Sequence, residues 1–220
     1  MERLHITIDD VTIRIFHFNF IQVNTYILYD KTKEAIIIDP GNSTHEENKI
    51  LSDYIQKEGL SVKYIINTHP HIDHILGNAF CKSTYNVPLW AHEAGMPIYR
   101  DAYAYATSFN FQTSEFPAID HFVNAGDSVS FGNQTLHILY TPGHCDGSIC
   151  LWDKKHSLVF TGDVLFEENI GRADLPTGNL NLLIESIKSN LLTLDDSTLV
   201  FPGHGDSTTI GRERRNNPYL

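Results

Sequence analysis

Apolar positions change their period several times along the chain. The first forty residues hold four runs rich in β-branched and aromatic side chains, "HITI", "VTIRIFHF", "NTYILYD" and "EAIIIDPG", which predict strands. The last runs apolar to Ile38 and stops at Asp39-Pro40-Gly41. A helix follows over about 44–58, with Ile50, Leu51, Tyr54 and Ile55 on one face and Ser43 and Glu46 at the spacing of a capping box. "VKYIIN" reads as a buried-type strand, and a further helix is predicted from about Asp73 to Cys81. Strands return between 121 and 162 in "QTLHILYT", "SICLW" and "SLVFT". Leu180, Leu183, Ile184, Ile187 and Leu191 then repeat at helical spacing, and "TLVFPGH" is the final strand signal. Strand groups interleaved with helices predict an α/β protein in which two sheets are covered by helices, with other α/β layerings left open by pattern alone.

Composition narrows the partners. The chain has 220 residues without an internal repeat or a Pro/Gly-rich linker, so one domain over 1–220 is expected. A net charge of −11 with no basic run argues against nucleic acid. The start "MERLHITIDD" has no apolar leader core, and no apolar run reaches membrane-spanning length. Cys81, Cys145 and Cys150 are an odd number with no C-x-x-C pair, which disfavours a disulfide framework or a thiolate zinc site. These features predict a cytoplasmic protein with a small-molecule substrate and no membrane partner. They leave its oligomeric state open.

Candidate chemistry lies in "INTHPHIDHILG", where His69, His71, Asp73 and His74 fall within six positions directly after an apolar run. Pro70 biases His69 toward extended backbone. In extended chain, positions i and i+2 point the same way, so His69 and His71 can reach one ion. Asp73 and His74 lie at the turn into the next element and point elsewhere, so one segment can serve two metals. Three later strands end alike: "ILYTPGH" in His144, "LVFTGD" in Asp163 and "LVFPGH" in His204. Each alone reads as a turn residue or cap. Together, five histidines and two aspartates without a thiolate suit a catalytic two-metal centre able to take zinc, iron or manganese.

These residues resemble the metallo-β-lactamase superfamily, whose hallmark H-x-H-x-D-H reads "HPHIDH" here, with "TPGH", "TGD" and "PGH" downstream. The resemblance covers nearly the whole chain. It implies a four-layer αββα sandwich with two divalent metal ions, zinc foremost, at one edge. His69, His71 and His144 would bind the first metal, Asp73, His74 and His204 the second, and Asp163 would bridge. Asp39 matches the superfamily's early aspartate and would orient a ligand, or it is a turn residue. "TGDVLFEENIGRADLPTGN" and "TTIGRERRNNPYL" look most like the compact hydrolases similar to type II glyoxalase, the hydroxyacylglutathione hydrolases. The chain departs from full-length type II glyoxalases in reaching Leu220 soon after His204, without their C-terminal helical domain, and in carrying Cys145 where relatives often have Thr or Ser.

The implied activity is hydrolysis of a thioester or related ester by a metal-bridging hydroxide that Asp73 helps to orient, with S-lactoylglutathione as the leading substrate. A persulfide dioxygenase with one iron and a lactonase are the rivals inside the superfamily, and a non-catalytic metal-binding module is the rival outside it. Candidate substrate contacts are Arg172, Tyr103 and Cys145. Arg172 pairs with a substrate carboxylate or with Asp174, and Cys145 is a packing residue or an oxidisable thiol. Arg214 and Arg215 are weaker candidates, better read as structural ion pairs. Tyr99, Tyr103, Tyr105, Phe109, Phe111 and Phe116 form either an aromatic lid over residues 95–120 or ordinary helix packing.

Overall fold

The computed structural model describes residues 5–108, 111 and 115–220. A first sheet runs in sequence order through β1 (His5–Ile8), β2 (Val11–Phe18), β3 (Val23–Asp30), β4 (Glu34–Ile38), β5 (Ser61–Ile66), β6 (Leu89–Ala91) and β7 (His121–Phe122). The second is built from β8 (Ser128–Phe131), β9 (Gln134–Tyr140), β10 (Ile149–Asp153) and β11 (Leu158–Gly162). A separate hairpin follows, β12 (Leu165–Phe166) with β13 (Asn169–Ile170). The strands β14 (Leu199–Pro202) and β15 (Thr208–Thr209) then complete the second sheet in the order β15-β14-β11-β10-β9-β8. The helices are α1 (His45–Glu58), α2 (Ile72–Ile75), α3 (Asn78–Tyr85), α4 (Met96–Ser108), α5 (Leu180–Ser186) and α6 (Ile210–Asn216).

Strand alternation sorts side chains into three apolar layers. Ile36, Ile38 and Ile66 of the first sheet meet Leu136, Ile138, Leu151, Phe160 and Phe201 of the second. On the outer side of the first sheet, Ile37 and Ile65 pack against Leu51, Ile55, Ile75 and Ala102 of the helices. Outside the second, Val159 and Val200 pack against Leu183, Ile187, Leu191 and Ile210. The order is therefore helix, sheet, sheet, helix, the αββα sandwich that the resemblance implies. Strands such as β4 and β11 read as unbroken apolar runs because both of their faces are covered. No helix among the described residues is long and apolar enough to cross a membrane.

Strand direction assembles the site. The strand β5 runs parallel to β4, and β14 runs parallel to β11. Both β9 and β11 pair antiparallel with β10, so they too share a direction. Asp39, His69, His144, Asp163 and His204 all follow the C-terminal ends of strands that share a direction within their sheet.

Three predicted boundaries shift. The capping box is one residue later than the Ser43–Glu46 spacing suggests: Thr44 is the extended N-cap, and its side chain accepts the Glu47 N–H. The Glu47 carboxylate in turn accepts from Thr44 N (3.1 Å), Ser43 N (2.7 Å), Ser43 Oγ (3.0 Å) and Asn19 N (2.6 Å). The predicted helix from Asp73 to Cys81 is two short helices, because the Gly77 N–H turns away to the Pro40 carbonyl at 2.7 Å. The helix starting at Leu180 passes into a π-helical turn over Ile187–Leu191.

Because Glu47 gathers donors from both the helix start and the β2–β3 turn, Glu47→Ala is expected to cost about 1–3 kcal/mol. The check is a lower urea midpoint at unchanged m-value, and an unchanged midpoint would remove Glu47 from this role.

Candidate metal centre

Asp39 ends β4 in the left-handed region (φ +49°), a conformation that costs energy in non-glycine residues and that Asp tolerates better than most. This backbone aims its buried carboxylate at the end of β5. One oxygen accepts the Thr68 N–H at 2.7 Å. The other accepts Thr68 Oγ1–H at 2.5 Å and lies 3.0 Å from His74 Nδ1. With its hydroxyl proton committed to Asp39, Thr68 Oγ1 accepts from His69 Nδ1 at 3.1 Å. Asp39 thereby places protons on Nδ1 of both His74 and His69, and turns each Nε2 toward the other candidate ligands.

His69, His71 and His144 offer ring nitrogens within 4.8 Å of one another, and Asp73, His74 and His204 form a second such group. In the first, His71 Nδ1 lies 2.8 Å from His144 Nε2, and His144 Nδ1 donates to the Arg172 carbonyl at 2.7 Å. The buried His69 Nε2 has no hydrogen-bond partner. In the second, Asp73 Oδ2 is 3.1 Å from His204 Nε2 and 3.5 Å from His74 Nε2. Asp163 lies between the groups, with Oδ1 3.3 Å from His74 Nε2 and Oδ2 3.8 Å from His144 Nε2 and 3.7 Å from His204 Nε2. Its buried Oδ1 makes no hydrogen bond despite the nearby imidazole. A third grouping, Asp39 with His69 and His74, also falls within reach of one ion, but the Asp39 oxygens are already taken by Thr68 and His74.

The electrostatics ask for positive charge. Burial pushes His71 down to about 4 and holds His69 well below its ordinary value, so both are neutral near pH 7. Burial also opposes charge on His74, yet Asp73 and Asp163 overcome it and hold His74 well above the usual range. The same pairing, led by His74 and acting against burial, keeps Asp163 and Asp73 below ordinary carboxylates. His204 is raised against its burial by the hydrogen bond to Asp73. Neutral imidazoles beside ionised carboxylates are a donor set that suits divalent cations. Close approach is built in at Gly203, where a Cβ would lie 2.1 Å from Asp163 Oδ1.

All seven ligand candidates thus converge, and Asp39 takes the orienting branch of its two readings. Asp73 lies inside α2 rather than capping it, and its carboxylate is turned to the histidines. The other candidates do not join the cluster. Cys145 is buried, with its thiol pushed up to about 12 by burial and bonded to Ser148, which is the packing reading. The Arg172 guanidinium forms a two-point pair with Asp174, Nε to Oδ1 and Nη2 to Oδ2, both at 2.7 Å. Arg214 and Arg215 both pair with Asp196. Tyr103 is exposed on α4. Tyr99 and Phe116 belong to the apolar layer under that helix. Phe111 stacks on Phe20 at 4.9 Å, and Phe109 lies outside the described residues. Sequence reasoning missed Thr68 and the Arg172 carbonyl. Thr68 could have been found as the hydroxyl beside His69, whereas a carbonyl leaves no trace in a sequence.

Asp39→Asn replaces an acceptor-only group with one that carries two N–H donors, so at least one of its three hydrogen bonds is lost. The expected result is a roughly 10–100-fold loss of metal affinity in a folded protein, measured by competition with a chromophoric chelator. Unchanged affinity would reduce Asp39 to a turn residue.

Comparison with known proteins places this geometry. The chain is 34% identical over 212 residues to the hydroxyacylglutathione hydrolase GloC of Haemophilus influenzae, covering 96% of this chain and 98% of GloC. It is 36% identical over 202 residues to the probable metallo-hydrolase YqgX of Bacillus subtilis, covering 91% and 93%. The crystal structure of TTHA1623 in a di-iron-bound form superposes with a TM-score of 0.84 at 32% identity, covering 94% of this chain and 99% of that one. The sequence signature of the metallo-beta-lactamase superfamily matches residues 18–204, and the chain belongs to that superfamily of metal-dependent hydrolases.

Proposed function

We propose that the protein is a two-metal hydrolase of thioesters, with S-lactoylglutathione as its first candidate substrate. The observation that carries this reading is the position of Asp163 between two ligand groups, its buried Oδ1 lacking a hydrogen bond as does His69 Nε2. His69, His71 and His144 would hold one ion, Asp73, His74 and His204 the other, and Asp163 both. Zinc is the first candidate metal, with iron or manganese compatible with the same nitrogens and oxygens. Bound ions of this kind supply Lewis acidity toward a carbonyl oxygen and lower the pKa of water.

The chain's own residues do the rest. Asp39, through Thr68, keeps the histidine lone pairs aimed inward. Asp73, whose side chain keeps 12% of its surface open, holds the proton of the attacking water at Oδ2 and orients it. Water adds across the acyl–sulfur bond, giving a carboxylic acid and a thiol. A thiol has a pKa of about 8.5 and departs without a dedicated acid. That agrees with the site, where the one further carboxylate beside the ligand cluster among the described residues, Asp39, is already occupied by Thr68 and His74. GloC, similar over nearly its full length, carries the name of this activity. The complete second group favours two ions over a single iron, and a lactonase would use the same residues, so the substrate decides between esters.

The test is hydrolysis of S-lactoylglutathione by metal-quantified protein. Turnover is expected with two metal equivalents bound and should be abolished by chelation and restored by zinc, iron or manganese. Asp163→Ala and Asp73→Ala should each lower kcat by at least about 100-fold in folded protein. No turnover by the fully metallated enzyme would exclude this substrate, and retained activity in a folded Asp163→Ala protein would remove the bridging role.

A further inference from the structure

The closing segment "TTIGRERRNNPYL" contains a buried carboxylate that the proposed reaction does not use. Glu213 in α6 is fully buried. Its Oε1 accepts Thr208 Oγ1–H at 2.6 Å, and its Oε2 accepts the Glu168 N–H and Asn217 Nδ2, each at 2.8 Å. Asn217 Nδ2 also donates to the Asn169 carbonyl at 3.0 Å. On the exposed side, Arg212 pairs with Glu167 at 2.7 Å and with Glu168 at 2.9 Å. A buried carboxylate is costly unless its oxygens are satisfied. Here it acts as a fixed acceptor that ties the Glu168 turn to the continuous stretch formed by β15 and α6.

The hairpin that holds Glu168 and the strand that holds Thr208 both lead to the metal centre. Glu168 and Asn169 belong to the β12–β13 hairpin. That hairpin begins just after Asp163 and ends at Gly171-Arg172, whose carbonyl accepts from His144 Nδ1 at 2.7 Å. The two ends are pressed together: a Cβ on Gly171 would lie 1.9 Å from the Asp163 carbonyl oxygen. Thr208 is in β15 and pairs with Val200 of β14, the strand that leads to His204.

We infer that Glu213 is a positioning residue for the metal centre. By fastening the β12–β13 hairpin to β15, it fixes Asp163, the carbonyl behind His144 and the approach to His204 relative to one another. It touches none of the reacting atoms. This inference rests on the two-metal reading.

The experiment compares wild type, Glu213→Gln, Glu213→Leu and Asn217→Ala. Each protein is stripped of metal, titrated with Co²⁺ and followed by its visible absorption. Glutamine keeps a carbonyl for Glu168 and Asn217, and the Thr208 hydroxyl can turn to accept from its amide. Wild type and Glu213→Gln are expected to take two equivalents with the same spectrum. Glu213→Leu should bind roughly tenfold more weakly, with shifted absorption bands, and Asn217→Ala should show a smaller loss in the same direction. A folded Glu213→Leu protein with wild-type affinity and spectrum, even at a lower melting temperature, overturns the inference. Should Glu213→Leu fail to fold, unchanged cobalt binding by Asn217→Ala overturns it instead. If wild type itself does not take two equivalents, the two-metal reading fails and this inference fails with it.

Discussion

The hydrogen bonds of Asp39 are the constraint from which the rest of the site follows. An imidazole can bind a cation only through a nitrogen that carries no proton, and a ring free to rotate spends part of its time with the wrong nitrogen inward. Here a single carboxylate removes that freedom in both ligand groups, from His74 directly and from His69 through the Thr68 hydroxyl. The left-handed backbone at Asp39 is what lets one side chain reach both. Strain of this kind persists only where surrounding contacts over-determine it, and the three donors on Asp39 supply those contacts.

Asp39 can reach Thr68 because of how the strands run. With β5 parallel to β4, the turns after both strands open at the same edge, and β11 and β14 repeat the arrangement in the facing sheet. The apolar layer between the sheets is dense with large side chains such as Phe160, Phe201 and Tyr26. These set how the two sheets pack and hence how far apart their ligand-bearing turns sit. Tyr26 also turns its hydroxyl to the Pro202 carbonyl at 2.5 Å, and Asn24 bonds the same carbonyl at 3.0 Å. The turn that carries His204 is thus tied to the first sheet as well as to its own.

Much of this was legible in the sequence because the candidate ligands sit at punctuation marks. A strand that stops at Pro-Gly-His or Gly-Asp announces both an element boundary and a polar side chain held at it. The apolar runs of β4, β11 and β14 identified sheets covered on both sides. The illegible part has physical causes. Ser43 and Thr44 both suit an N-cap, as Glu46 and Glu47 both suit the third helical position. Only the tertiary bond from Asn19 N to Glu47 decides between them. The helix after His71 breaks at Gly77 because a main-chain carbonyl at Pro40, distant in sequence, captures its N–H. His144 owes its orientation to the carbonyl of Arg172, a residue whose side chain drew attention for a different reason and is occupied by Asp174.

The β2–β3 turn shows how closely stability and site geometry are joined. Asn19 sends its side-chain amide to the carbonyls of Gly41 and of Asp73, at 3.0 and 3.1 Å, while its own N–H goes to Glu47. One residue therefore connects the capping box of α1 to the backbone of Asp73, a candidate ligand of the second group. With the turn clamped from below, Phe20 is left 74% exposed, and Ile21 is exposed beside it. Apolar side chains in such a turn cannot relieve their exposure by rotating the turn inward without breaking the bonds that hold Asp73. A change at Asn19 would be felt in the cap, the turn and the backbone of Asp73 together.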